Sequence, residues 1–465
     1  MRAWPEFGKS SIITAISVLT EDQYETKTSD RFDRRTVLKM SGATAIVALA
    51  GCIGDDEEET GDDMADDMGD DMDDGMGDDM ADDMDDEEVE FAIETISTGD
   101  PFADTKTAAG HVEGSAKTLA GGFAAALDLD GNSDSEAAEL RATLSGLLQE
   151  HVYLAGYTVD AAYSFGPESG EFELAAEALD TNSVELADVI GDAAGDDNRD
   201  AFLSLWRDHI GFFVDYALAA AEDDDEGRQA ALDDLDGYTD AAGGFFENIT
   251  DGELPADAVT DHLDGHIDTL AAAIDSFAAG DASAFDDLKA AADHVVGGGA
   301  VLAGGFAAAL DLDGDTESEA SGLRTTLTAG LQEHVYLAGI AVKNAYAADL
   351  ESGEFEAAAG TLDTNSVQLA DVIGDAAGGD NRDAFLSLWR DHIGFFVDYA
   401  VATAGDDRQA QADAIDDLDG YTESAGGFFE NISAGELPAD AVADSLRGHI
   451  ATLGGAIDSL DAAIN

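Results

Sequence analysis

The feature that most constrains the fold is a long tandem repeat. The segment Asn198–Ala217, NRDAFLSLWRDHIGFFVDYA, returns unchanged at Asn381–Ala400. From about residue 100 onward the two halves match at this offset of 183 residues, the distance from Asn198 to Asn381. This period is much longer than that of a solenoid repeat, so it predicts two homologous domains rather than a stack of short units. The predicted domains are 100–281 and 282–465.

Each repeat is expected to be helical throughout, because its apolar residues recur at spacings of three and four. Three such stripes in the first repeat are Leu140, Leu144, Leu147, His151, Leu154; Phe202, Leu205, His209, Phe212, Tyr216; and Val259, Leu263, His266, Leu270. These are the seams of helices packed in a bundle. The pattern predicts an all-α fold of two tandem antiparallel bundles. It leaves open whether the first helix, near 104–127, closes the first bundle or the second.

The N-terminal region carries a targeting pattern. Arg34 and Arg35 precede a short apolar run, and the run ends at Cys52, the only cysteine in the chain. The run is too short for a transmembrane helix. Residues 34–52 resemble the twin-arginine lipoprotein signal of haloarchaea. That resemblance implies that 1–52 is an N-terminal extension plus signal, that Cys52 is lipidated, and that the protein is anchored to the outer face of the cytoplasmic membrane.

Residues 53–99 are predicted to be a disordered acidic linker. Six methionines recur at every fourth position, set among Asp, Gly and Ala: Met64, Met68, Met72, Met76, Met80 and Met84. The segment contains too little apolar surface to fold. Thioethers are soft ligands for copper(I), but the surrounding carboxylates suit hard cations better. We therefore interpret the segment as a tether.

The charge of the chain excludes one class of partner. The sequence has 20 Lys and Arg against 103 Asp and Glu, a formal net charge of −83. Molar salt would screen this repulsion, which indicates a protein from a salt-rich medium. Binding to nucleic acid is not expected, because no basic patch exists to displace counterions from phosphates.

The histidines are the candidate site. Eight of the nine match across the repeats: His111 with His294, His151 with His334, His209 with His392, and His266 with His449. Within a repeat the four fall near the middle of four different helices, so they could meet at one level. Imidazole suits zinc, copper and iron. The neighbouring acids proposed as their supporting shell are Glu150, Asp208, Glu333 and Asp391. The ninth, His262, is replaced by Ser445 in the second repeat.

Two other interpretations of the histidines remain open. They could form a buried hydrogen-bonded network that only specifies packing. They could also hold a haem or another redox group without a covalent bond, since the chain has no Cys-x-x-Cys-His motif. In every case we expect His209 and His392 to point into their bundles, between Trp206 and Phe213 and between Trp389 and Phe396. Asn182 and Asn365 are predicted to cap helices.

The sequence does not indicate an enzyme, because it lacks a nucleophile elbow and a phosphate-binding loop. The segments LLQEHVYLAG and LDTNSVELADVIG resemble a helical domain of secreted envelope proteins from Bacillus-like bacteria. The resemblance implies a helical unit in an extracytoplasmic setting and no established activity. Our leading hypothesis is a membrane-anchored binding protein with two histidine-containing bundles that take a transition metal. The alternative is a structural or interaction module of the cell envelope.

Overall fold

The computed structural model describes residues 89–348 and 350–464, and within them it has twelve α-helices and no strand. Arg34, Arg35 and Cys52 lie outside the described residues, as does the linker up to residue 88. The first repeat contains α1 (Pro101–Leu127), α2 (Glu136–Phe165), α3 (Gly170–Ala194), α4 (Asp196–Ala221), α5 (Asp225–Ile249) and α6 (Ala256–Ala279). The second contains α7 (Ala284–Leu310), α8 (Glu319–Ala347), α9 (Gly353–Ala377), α10 (Gly379–Ala404), α11 (Arg408–Ile432) and α12 (Ala439–Ile464). The predicted all-α class is confirmed.

Several equivalent helix ends of the two repeats carry the same local signals, although α1 begins with a side-chain cap from Asp100 and α7 begins without one. Ser135 caps α2 by accepting a hydrogen bond from the amide of Ala138, and Ser318 does the same for α8. The helix α1 ends at Asp128, which has the left-handed φ of 53° that Asp tolerates better than most side chains. The repeat in sequence is thus also a repeat in local structure.

The first helix closes the second bundle. The helix α7 follows α6 directly and packs against α6 and α2, whereas α1 packs against α12 and α8. Bundle A therefore consists of α2–α7, and bundle B consists of α8–α12 together with α1. The sequence boundaries 100–281 and 282–465 divide the repeats, but neither segment contains all the helices of one bundle.

The two bundles are joined by reciprocal contacts between equivalent residues. The amide of Ala137 donates to the carbonyl of Asp313 at 3.0 Å, and the amide of Ala320 donates to the carbonyl of Asp130, also at 3.0 Å. Each bond is the counterpart of the other across the repeats. Such reciprocity is the mark of a two-fold interface, here formed inside one chain.

The end of the predicted linker is ordered, which corrects the expectation for residues 53–99. The amide of Ile96 donates to the carbonyl of Ala451 on α12 at 2.9 Å, and Thr95 Oγ1 donates to Asp458 at 2.7 Å. A Cβ on Gly455 would lie 1.7 Å from the Ile96 carbonyl oxygen. The first repeat has Ala272 at the equivalent position. The second repeat therefore uses a glycine where the segment 93–98 crosses α12.

One described helix, α7, is long and apolar enough to cross a membrane by length and composition alone. In this fold it packs against α2 and α6. A buried core helix passes the same test, but only 28% of the apolar window of α7 is buried, so packing accounts for part of its apolar character.

Candidate metal centres

Each bundle brings three histidines together at its centre. In bundle A they are His151 on α2, His209 on α4 and His266 on α6, and one ligand atom of each lies within 4.8 Å of the others. Their ring centroids are 5.4, 6.1 and 6.3 Å apart. We call this set triad A.

Triad B repeats this arrangement in bundle B with His334, His392 and His449. Here the ring centroids are 5.3, 6.0 and 6.4 Å apart. All six histidines are buried, none more than 5% exposed. The two clusters agree to about a tenth of an ångström in ring spacing.

Aromatic neighbours fix the central histidine of each triad. Trp206 lies 4.4 Å from His209 between ring centroids, and Phe213 lies at 6.0 Å, one turn further along α4. Tyr238 of α5 stacks on the same imidazole at 4.7 Å and 20°. The inward orientation of His209 is confirmed, because its place in the apolar stripe of α4 turns it toward the core.

His392 has the same surroundings, with Trp389 at 4.4 Å, Phe396 at 6.0 Å and Tyr421 stacked at 4.9 Å. Its predicted orientation is confirmed as well. The stacked tyrosines were missed from sequence. Tyr238 and Tyr421 sit at matched positions of α5 and α11, but nothing in the pattern of those helices links them to a histidine on another helix.

The triads lack the hydrogen bonds that a packing network requires. In triad A both ring nitrogens of His209 and of His266, and Nδ1 of His151, are buried without a hydrogen-bond partner. The Trp206 carbonyl approaches His209 closely enough to oppose the shift in its pKa, but no well-aligned bond results. In triad B both ring nitrogens of His334 and of His449, and Nδ1 of His392, are likewise buried without a hydrogen-bond partner. Buried polar atoms left unpaired cost free energy, so these nitrogens are available to a ligand in both bundles.

Burial keeps these imidazoles neutral. Removal from water lowers the pKa of His209 to about 3, and repulsion from His266 adds to the effect. The pKa of His266 falls to about 4 for the same first reason. His392 matches His209, with a pKa of about 3. The neutral imidazole, with a free lone pair, is the form that ligates a metal.

The spacing of the nitrogens has an upper bound close to the spacing in a metal site. Nitrogens held 2.0–2.1 Å from a tetrahedral ion lie about 3.4 Å apart. The ligand atoms of each triad lie up to 4.8 Å apart. Ligation therefore requires each triad to contract by about 1.4 Å at most, which small rotations of the imidazoles about their side-chain bonds can supply.

The fourth histidine of each repeat does not join its own triad, which corrects the predicted set of four. Because α1 and α7 exchange bundles, His294 lies in bundle A and His111 in bundle B. His294 Nε2 lies 3.0 Å from the carbonyl oxygen of His262, and His111 Nε2 lies 3.0 Å from that of Ser445. Both are half-buried at the edge of the bundle.

The acids next to the histidines do not support the triads either. Asp208 and Asp391 are exposed. Glu150 is buried, but its carboxylate accepts hydrogen bonds from Tyr336 of bundle B at 2.8 Å and from Asn182 of its own bundle at 3.0 Å. Adjacent residues of a helix point about 100° apart, so Glu150 and His151 face different neighbours.

The equivalent acid, Glu333, accepts hydrogen bonds from Tyr153 at 3.0 Å and Asn365 at 2.9 Å, and forms an ion pair with Lys289 at 2.9 Å. Asn182 and Asn365 lie in the middle of α3 and α9, so their prediction as helix caps was wrong. Their amides serve the buried carboxylates instead.

An apolar cavity adjoins each triad. The cavity of bundle A, about 60 Å³, is lined by His151 and His266 together with leucine, isoleucine, valine and phenylalanine side chains. The cavity of bundle B, about 50 Å³, is lined by His334 and His449 in the same way. Pockets for drug-sized ligands measure about 300–1,000 Å³. A haem does not fit either cavity in this structure, which opposes the haem interpretation.

Comparison with protein-family models, with curated proteins and with solved structures finds no match to this chain. The assignment of a function therefore depends on the geometry of the triads.

Proposed function

We propose that the protein binds two transition-metal ions, one on each histidine triad, and presents them at the outer face of the cell. The observation that carries the proposal is the convergence of three buried, neutral and unpaired imidazoles, repeated in both bundles. Metal binding would pair nitrogens whose burial is otherwise uncompensated. Its free energy would add to the stability of the fold.

The donor set favours a limited group of metals. Imidazole suits zinc, copper, iron and nickel, whereas calcium and magnesium require oxygen ligands. No carboxylate belongs to either triad. Three protein ligands also leave an open position on a four-coordinate ion, as in catalytic rather than structural zinc sites. Zinc, copper and iron are therefore the leading candidates.

The cellular setting is part of the same proposal. The twin-arginine pattern and Cys52 support export and lipid anchoring, and the acidic composition supports function in high salt. Export through this route carries a folded chain. This suits bundle B, which is complete only when α1 packs against α12 near the other end of the chain. Lipidation is tested by Cys52→Ser, which should release the processed protein from membranes. A processed variant that stays membrane-bound would contradict the anchor.

The decisive experiment is metal analysis of the full chain purified in molar KCl. We expect two ions per chain, one ion for either His209→Leu or His392→Leu, and none when both changes are combined. The matched control is His111→Leu, which alters a histidine outside the triads and should keep two ions. Equal metal content in the wild-type chain and the double variant would exclude the triads as the binding sites.

A further inference from the structure

The two cavities differ where they approach the surface, although the triads are nearly identical. In bundle A the cavity is lined by half-buried His262 and His294 in addition to His151 and His266 of the triad. In bundle B the corresponding lining includes Ser115 and Ser445. Only bundle A therefore has two imidazoles at the mouth of its cavity.

The exchange at the mouth involves two positions in contact. Where bundle A has His262 and Gly298, bundle B has Ser445 and Ser115. A Cβ on Gly298 would lie 3.9 Å from the Cβ of His262, whereas Ser115 and Ser445 are joined by a 2.6 Å hydrogen bond. In bundle A, Gly298 leaves room for the large imidazole of His262. Bundle B has two small serine side chains at the same two positions.

The ring spacing of the two imidazoles lies at the wide end of the range for a pair that shares an ion. The ring centroids of His262 and His294 are 6.0 Å apart. Imidazoles that share an ion at 2.0–2.1 Å per nitrogen have centroids about 5–6 Å apart. His294 uses Nε2 for the carbonyl of His262, which leaves its Nδ1 for an ion.

The pair His262 and His294 also lies next to triad A. His262 and His266 lie four residues apart on α6, hence on one face of the helix and one turn from each other. The imidazole of His294 lies against the same turn of α6, since a Cβ on Gly265, the residue before His266, would be 2.4 Å from its Cε1. An ion held at the mouth would thus be one helical turn from a ligand of triad A.

We infer that His262 and His294 form a peripheral capture site that delivers a transition-metal ion to triad A, and that triad B loads without one. This inference rests on the proposed function of the triads. It predicts that two sites with the same ligands fill at different rates, because a captured ion is held at a high effective concentration beside its destination.

The test uses full-length chains with one working triad and cobalt(II) as the probe. The chain with His392→Leu keeps triad A, and the chain with His209→Leu keeps triad B. Uptake is followed by rapid-mixing visible absorption, and the bound cobalt is then counted by metal analysis. We expect triad A to load faster than triad B by roughly tenfold, the low end of what local enrichment provides.

Substitutions that swap the residues at the two cavity mouths test whether these residues cause the difference in loading rate. His262→Ser introduces the residue that bundle B already carries, and it should slow triad A to the rate of triad B while one cobalt per chain is still bound. Ser445→His combined with Ser115→Gly should accelerate triad B. An unchanged rate for His262→Ser at full stoichiometry would overturn the capture site alone.

Two other outcomes would overturn the capture site for different reasons. If His262→Ser lowers the amount of cobalt bound at equilibrium without changing the rate, His262 is an additional ligand of the triad and the capture role is wrong. If neither chain binds cobalt at either triad, the proposed function fails and the capture site fails with it.

Discussion

Tyr153 and Tyr336, the same position in the two repeats, stack face to face with ring centroids 5.3 Å apart and planes 7° apart. Each hydroxyl donates a hydrogen bond to the buried glutamate of the opposite repeat, Tyr153 to Glu333 and Tyr336 to Glu150. The internal two-fold axis of the protein therefore passes between these rings. The residues that join the bundles lie within two positions, in sequence, of His151 and His334 at the bundle centres.

Replacement of Tyr153 by Phe should destabilise the chain. The change keeps the stacked ring but leaves Glu333 without one donor, and a hydrogen bond to a charged group contributes about 1.5–3 kcal/mol. The control is Tyr163→Phe, whose hydroxyl donates to the neutral carbonyl of Ala217. We expect the control to lose about 1 kcal/mol. Denaturant unfolding at pH 8 measures both, and equal losses would contradict the charged-acceptor interpretation of the interface.

The exchanged first helix gives a prediction for truncation. A chain that begins at residue 129 lacks α1, the helix that covers α8 and α12, but retains α7 for bundle A. We expect bundle B to lose its cooperative unfolding and its metal, while bundle A keeps both. Addition of a peptide spanning Pro101–Leu127 should restore bundle B. If the truncated chain binds two ions without the peptide, α1 is not required to close bundle B.

Replacement of His209 by Leu should have opposite effects with and without metal. In metal-free protein the change removes two unpaired buried nitrogens, and an apolar residue of similar size is then neutral or stabilising. With metal present, the wild-type chain gains stability from each of its two bound ions, about 2.7 kcal/mol per site at a concentration 100 times the Kd. The variant should gain only half of what wild type gains. Thermal melts with metal and with chelator measure both effects.

The melts with chelator also distinguish a metal site from a hydrogen-bonded packing network. If His209→Leu destabilises the chelated protein by more than about 2 kcal/mol, the imidazole has partners in the folded state that the structure does not show. His392→Leu should reproduce the result in bundle B, because its surroundings are the same.

Metal-free protein should lose stability as the pH falls. The pKa of His209 and of His392 is about 3 in the fold, and that of His266 is about 4, against 6.5 for an unperturbed histidine. Between these values the unfolded chain binds more protons. The free energy of unfolding therefore falls as pH drops from about 6.5 toward the folded pKa, by up to about 1.4 kcal/mol per pH unit for each histidine.

Buried carboxyls act in the opposite direction. Burial first, and then repulsion from Asp293, raise the pKa of Glu333 to about 7, and burial raises that of Glu113 to the same value. The folded state retains those protons, so this contribution is lost as pH rises from about 4.5 to 7. A comparison of wild type with the His209→Leu and His392→Leu double variant cancels the carboxyl contribution. The double variant should show a shallower decline below pH 6.5, and identical profiles would contradict the assigned histidine pKa values.

The glycine under the N-terminal segment gives a local prediction. Gly455→Ala places a Cβ against the carbonyl of Ile96, so the segment 93–98 must leave α12. The control, Gly427→Ala on α11, meets no atom within 4 Å and should gain up to about 1 kcal/mol of helix stability. Limited proteolysis should cleave the Gly455 variant near residue 96. Equal protection of the two variants would show that the segment adjusts in place.

The sequence by itself determined the helices and the orientation of single residues. Spacings of three and four place His209 in the apolar stripe of α4, and 3.6 residues per turn are enough to turn it inward. The offset between Asn198 and Asn381 likewise determined that the structure would contain two equivalent bundles. These properties depend on neighbours within one or two helical turns, and the sequence displays such neighbours directly.

The tertiary structure decided which histidines meet. His111 and His151 belong to one repeat, but α1 packs in the other bundle, so the fourth histidine of bundle A is His294 of the second repeat. It lies outside the group of three, with its Nε2 3.0 Å from the carbonyl oxygen of His262. Glu150 follows the same principle. It is the neighbour of His151 in the chain, yet its partner Tyr336 is 186 residues away. Convergence at a site depends on which helices pack together, and that choice is made by the summed burial of long-range contacts rather than by any local pattern.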